Sequence, residues 1–105
     1  MKKYSLPNLS TNDRIYCRYN ILNSLYVFEF TWCDFFCLLD IYDEKSGEKI
    51  YLVKGVPITA GQNLISRTNL ADKLTIENIY QQKYEPSREN FHTDYELVWY
   101  ENGDV

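Results

Sequence analysis

Glu29 and Asp40 are the two acids that interrupt apolar runs, in YVFEFTW and in FFCLLDIYD. Two carboxylates held ~5–9.5 Å apart can hydrolyse a glycosidic bond, one as acid and the other as base or nucleophile. If their two segments are neighbouring strands, these side chains are the candidates for that chemistry. Against it stands the small size of the chain, which leaves little room for a walled cleft. The competing reading is that both acids mark where a sheet meets water or a partner. The remaining reactive groups are Cys17, Cys33, Cys37 and a single histidine, His92. A structural zinc site takes four Cys or His ligands, commonly as two close pairs. On a strand, Cys33 and Cys37 share a face but lie too far apart for a disulfide, and an odd number of cysteines cannot be fully paired. All three read as reduced thiols that pack as small hydrophobes. His92 stands beside Asp94 in a polar segment, and a catalytic base also needs a nucleophile and an orienting partner in a cleft. The four glycines are well apart and form no phosphate loop. The expectation is a protein that is not an enzyme and that carries no metal or cofactor.

Composition narrows the partners. The 105 residues include 15 acids and 11 bases, for a net charge of −4, and the bases are scattered beyond Lys2-Lys3. Nucleic-acid binders need clustered Lys and Arg to displace counterions from phosphate, so nucleic acid is not expected as a specific ligand. A polybasic membrane patch is missing on the same grounds. A spanning helix needs ~20 apolar residues, and Glu29, Asp34 and Asp40 break the most apolar stretch, so no membrane is expected. Leu6-Pro7-Asn8 interrupts any signal-like run, which suggests synthesis in a cytoplasm. The 10 Tyr, 5 Phe and 2 Trp are unusual. Aromatic residues favour strands and protein–protein contacts.

The elements that must position these residues are short and mostly extended. Lys3 to Leu6 reads as a first strand, followed by a polar bend over 8–13. In Arg14 to Ile21, Ile15, Cys17, Tyr19 and Ile21 alternate against polar residues and Tyr16. After a turn at Asn23-Ser24, Leu25 to Trp32 places Tyr26, Phe28, Phe30 and Trp32 on one face. Cys33-Asp34 reads as a tight connection, and Phe35 to Asp43 then places Phe35, Cys37, Leu39 and Ile41 on one face. Glu44 to Gly47 is a hairpin signal, with Glu48 to Val53 returning. Arg14 to Val53 is therefore expected to form a four-stranded antiparallel meander. Beyond it, residues 56–59 read as a separate extended piece, Leu64-Ile65 as a strand or a helical turn, and residues 69–80 as helix or strand. Gln81 to Thr93 reads as a long surface loop, Tyr95 to Tyr100 as a last strand and residues 101–105 as an acidic tail. Phe35 to Tyr42 is apolar on both faces, so something outside the sheet is expected to cover one of them. The fold class is all-β: one small antiparallel domain over 1–105, ordered over about 3–100, with six to eight short strands. It closes as a β-sandwich or a partly open barrel. Phe28, Phe30, Trp32, Cys37, Leu39, Ile41 and Leu97 are its candidate core.

The order of these features resembles a known family. YVFEFTW leads into FCLLDIYD, then a hairpin at Gly47, Lys54-Gly55-Val56-Pro57-Ile58 and Gly61-Gln62-Asn63-Leu64-Ile65. Leu74-Thr75-Ile76, Pro86 ahead of Asn90-Phe91, and a closing Tyr95-Glu96-Leu97-Val98-Trp99-Tyr100 complete the series. Over roughly Ser5 to Tyr100 this is similar to the small plug proteins of contractile phage tail baseplates, typified by a cyanophage baseplate plug. The chain departs from that pattern at Ala71-Asp72-Lys73, where a Pro-Gly step is usual, and in its cysteines. The resemblance implies a strand rather than a helix at Leu74 to Ile79. It also implies a structural virion protein, assembled in the bacterial host cytoplasm, that closes the axial channel of the baseplate until contraction. Hub, spike and tail-tube proteins would be its partners, with one or more copies per particle. Tyr16, Tyr42, Trp99 and Tyr100 are the candidate partner contacts. The alternative is a small soluble peptide- or protein-binding or inhibitor module of phage origin.

Overall fold

A computed structural model of the chain describes residues 1–8, 13–21 and 23–101. The polar bend over 8–13 and the acidic tail fall largely outside the described residues. Seven strands form two antiparallel sheets: β1 (Lys2–Ser5), β2 (Arg14–Ile21), β3 (Ser24–Cys33), β4 (Phe36–Lys45), β5 (Glu48–Pro57), β6 (Lys73–Asn78) and β7 (Tyr95–Tyr100). One sheet has the order β2-β3-β4-β5 and the other β1-β7-β6. The sheets stack as an open sandwich rather than a closed barrel.

The four-stranded sheet is the expected meander, and its turns explain its register. Ser46 and Gly47 both have positive φ, 54° and 78°, as a two-residue hairpin of the twist-matching type requires. The β3–β4 turn is displaced by one residue from the expected one. Asp34 takes φ 55°, β4 begins at Phe36, and Phe35 lies in the turn, 95% exposed. Phe35 therefore does not join the inward face of β4. A second departure is the length of β5. It runs past the expected end at Val53 to Pro57, taking in the first half of the 56–59 piece that reads as separate, because two register shifts absorb extra residues: Leu39 pairs with Val56, Ile41 with Val53 and Tyr42 with Tyr51. At the first shift Gly55 adopts φ 67°, and its N–H donates to Asp40 Oδ1 at 2.5 Å. The acid on the central strand thus replaces a missing ladder bond at the bulge.

The inner faces of the two sheets meet in one core. Phe28, Phe30, Trp32, Cys37, Leu39 and Ile41 pack from the larger sheet, and Leu74, Ile76, Leu97 and Trp99 from the smaller. The segment between β5 and β6 is irregular but bonded. Gly61 and Leu64 N–H groups donate to the Ile76 and Leu74 carbonyls (3.0 and 2.7 Å), and Asn63 Oδ1 accepts from Ile65 and Leu74 (3.1 and 3.0 Å). This segment covers the free edge of β6, which would otherwise be open to pairing. The expected loop 81–93 is interrupted near its end by a single helical turn, α1 (Phe91–Asp94), which contains His92. The turn exists to deliver Phe91, which is wholly buried against the rings of Phe30 (5.5 Å) and Trp32 (5.9 Å).

Burial in this core has a consequence at alkaline pH. It pushes the Cys37 thiol from an ordinary value near 9 up to about 12. It also raises the Tyr19 hydroxyl, which donates to the Ser5 carbonyl at 2.6 Å. Unfolding releases both groups to ionise, so the stability they protect is intact below about pH 9 and is lost as pH rises toward the folded value. Denaturation midpoints at pH 7 and 8.5 are expected to coincide, and the midpoint at pH 11 to be clearly lower. An unchanged midpoint at pH 11 would remove this account.

Candidate partner-binding surfaces

Glu29 and Asp40 are directly opposite each other in the β3–β4 ladder, as the acid–base reading requires. Their surroundings give them other work. Glu29 Oε2 lies 3.5 Å from Arg14 Nε, and Asp40 holds the β5 bulge. Neither lines the grooves of about 460, 490 and 260 Å³ on the surface of the described residues. Among the described residues no three His, Cys, Asp or Glu side chains come together as metal ligands. The three cysteines are free thiols, Cys37 buried and the other two partly so. No helix among the described residues is long and apolar enough to cross a membrane.

The four expected contact residues divide two and two. Tyr16 is 52% exposed on the outer face of the four-stranded sheet. Tyr100 is half-buried on the outer face of the other sheet, where its hydroxyl donates to Glu77 Oε2 at 2.6 Å. That hydrogen bond to a carboxylate, together with partial burial, pushes Tyr100 up to about 12. Trp99 and Tyr42 are corrections. Trp99 is wholly buried between the sheets, with its indole N–H donating to Asp72 Oδ2 at 2.7 Å. It alternates with Tyr95 and Leu97 onto the inner face, so its place near the chain end gives it no surface. Tyr42 does point outward, but the Tyr51 ring (5.3 Å) and the Lys49 ammonium (4.9 Å from its centroid) cover it. Lysine stems shield apolar surface in this way while their charge stays in water. The four residues therefore make no common patch.

The exposed aromatic surface lies elsewhere. Phe35 and the 51% exposed Phe36 form the tip of the β3–β4 hairpin. Beside them is a cleft of about 260 Å³ walled by Trp32, Ile58, Thr59 and Pro86. Two polar atoms there, Trp32 Nε1 and Thr59 Oγ1, are buried with no hydrogen-bond partner among the described residues, which a buried donor does not ordinarily tolerate. Ile79, Tyr80 and Tyr84 are also exposed, on the connection leaving β6. Two phenyl rings held in water at one tip of a well-packed chain mark an interaction surface.

A family model described as "Cyanophage baseplate Pam3 plug gp18" matches residues 3–102. The chain belongs to this baseplate plug family. Membership gives it a structural role in a phage tail baseplate, among other baseplate proteins. No curated protein and no solved structure matches the chain. For a baseplate plug the hairpin tip becomes the most informative surface, and alternation hid it. Counting Phe35 into β4 placed it with Cys37 and Leu39, and only the one-residue displacement of the turn frees it. The Asp34-Phe35-Phe36 string did hold a signal, because Asp tolerates positive φ better than Cys or Phe does.

Proposed function

We propose that the chain acts as one rigid unit that closes the axial channel of a contractile tail baseplate, at the junction of hub and tail tube, until contraction expels it. It does so by surface fit and carries no catalytic step. Hub, spike and tail-tube proteins are its partners on this reading, and the assembled virion tail is its working location. The observation that carries the reading is the family match over 3–102. The fold supports it. A two-layer body of 36 × 32 × 21 Å obstructs a passage of comparable bore. Both hydrophobic layers are spent on the core, and aromatic knobs at one end can seat in neighbouring proteins. A few buried aromatic anchors can carry most of the energy of such a contact, and their small number allows the contact to break under a large displacement.

The test is a comparison of purified tails made with and without this chain. Wild-type tails are expected to contain it at fixed stoichiometry, with its density on the tail axis where tube meets hub, and tails lacking it should be open at that level. Density on the baseplate periphery, or loss of the chain on washing the tails, would overturn the axial assignment. Recovery of the chain only in complex with a host protein would favour the inhibitor reading.

A further inference from the structure

β5 is an edge strand, paired with β4 on one side only. In an antiparallel edge strand alternate residues turn N–H and C=O groups outward, ready to pair with another strand. The edge of β6 is covered by its own neighbouring segment, but β5 is separated from residues 59–67 by a groove of about 460 Å³. Leu52, Val56, Pro57 and Leu64 give it apolar walls, Lys54 and Arg67 are its charged residues, and no carboxylate lines it. Thr59 lines this groove as well as the hairpin-tip cleft. Lys2, Lys3, Arg14, Arg18, Lys45 and Arg88 are each in an ion pair, whereas Lys49, Lys54, Arg67, Lys73 and Lys83 are in none among the described residues, and of these five only Lys54 and Arg67 line the groove. Lys54 instead lies over the Tyr51 ring at 4.8 Å, and the exposed Arg67 has no carboxylate within ion-pairing distance among the described residues. In a chain of net charge −4, two uncompensated bases on an apolar groove reverse the local sign and favour an anionic occupant.

We propose that this groove binds an extended, carboxylate-bearing peptide segment of a partner protein, which adds to β5 as a further strand. Backbone hydrogen bonds to the β5 edge on either side of the Gly55 bulge, with Pro57 offering only its carbonyl, would align the segment, and alternate side chains would fill the apolar walls, as in other strand-addition interfaces. The Arg67 guanidinium takes the carboxylate in a two-pronged contact, and Lys54 adds a second cation. The stretch from Leu52 to Pro57 spans roughly 20 Å at the usual rise per residue, which sets the segment at about six residues. Two bases are too few to hold a nucleic-acid backbone, and a bare inorganic anion has no use for the apolar walls.

The proposal concerns the purified chain and a peptide, so it can fail while the axial-channel reading stands, and the reverse. Random heptapeptides displayed on phage are panned against the full chain, and synthetic copies of those recovered are measured by fluorescence anisotropy. Recovered sequences are expected to alternate apolar residues and to carry Asp or Glu. The double variant Lys54→Glu, Arg67→Glu should bind them at least ~10-fold more weakly, as should peptides with the acid changed to its amide, and the affinity should fall as salt rises. Amide chemical-shift changes should concentrate on residues 52–57 and 59–67. Recovery of no peptide, no enrichment of acids, undiminished binding by the double variant, or the same shifts with inorganic phosphate alone would each overturn it.

Discussion

Trp99→Ala should cost the fold about 3–5 kcal/mol, the range for deleting a fully buried large aromatic, and should leave much of the chain unfolded at ambient temperature. The indole is wholly buried on the central strand of the three-stranded sheet, opposite Leu74 on β6 and Lys2 on β1. Removing it opens a cavity where the two sheets meet, and the total stability of a domain this size is only ~5–15 kcal/mol. The variant also breaks the hydrogen bond to Asp72, a contact between β7 and the segment that enters β6. Trp99→Phe separates the two effects: most of the ring volume is kept, and the loss should be nearer 1–2 kcal/mol. Equilibrium denaturation of the purified chain measures both. If Trp99→Ala unfolds within ~1 kcal/mol of the parent, Trp99 is not a keystone of the core. A failure of this variant to enter tails therefore reports a lost fold and says nothing about contact with a partner.

The same residue shows how far the sequence could be read. Alternation within Tyr95 to Tyr100 puts Trp99 on one face with Tyr95 and Leu97, and that periodicity is the physically sound signal, since a strand's inner face is set by its pleat. Nearness to the chain end carries no such constraint. The meander β2-β3-β4-β5 was legible because each of its strands has period-two patterning and each of its turns is short. The segment between β5 and β6 was not, because it is held by hydrogen bonds that Asn63 Oδ1 accepts from, and the Leu64 N–H donates to, Leu74 on a strand later in the chain, a relation that no local pattern encodes. α1 was missed for a similar reason: one helical turn has no periodicity, and Phe91 earns its position only through contact with Phe30 and Trp32.

The surface was less legible than the core. Tyr42 alternates outward and would be exposed on an isolated strand, but its cover comes from Lys49 and Tyr51 on the adjacent strand, and cross-strand neighbours depend on a register that two bulges alter. Glu29 and Asp40 read as acids on neighbouring strands, and the register sets them directly opposite each other. What the spacing could not show is that each is already engaged, one by Arg14 and the other by the Gly55 amide. A pair of acids spent on an ion pair and a bulge is a structural pair, in keeping with the family's structural role.

The hairpin tip supplies the second large expected effect. Phe35→Ala with Phe36→Ala should leave the isolated chain about as stable as the parent, because the two rings are 95% and 51% exposed and exposed substitutions rarely exceed ~0.5 kcal/mol. Assembly should respond very differently. Sealing a phenyl ring from water is worth about 1.5–3 kcal/mol, so losing two should weaken docking by roughly 3 kcal/mol, about 100-fold. Adding purified chain to tails that lack it, and titrating incorporation, reads this as a rise in the concentration for half-maximal filling. The flanking Asp34 is exposed as well, and an apolar socket with a basic rim is the surface it complements. Tyr16→Ala is the comparison that gives the experiment its edge. Tyr16 is also about half exposed, but it lies on the outer face of the four-stranded sheet, away from the tip. If Tyr16→Ala impairs filling and the tip variant does not, the plug is held by the sheet face, and the exposed phenyl pair has no part in its seating. If the tip variant alone fails while its fold is intact, the energy of the contact resides in the two rings that the displaced β3–β4 turn puts into water.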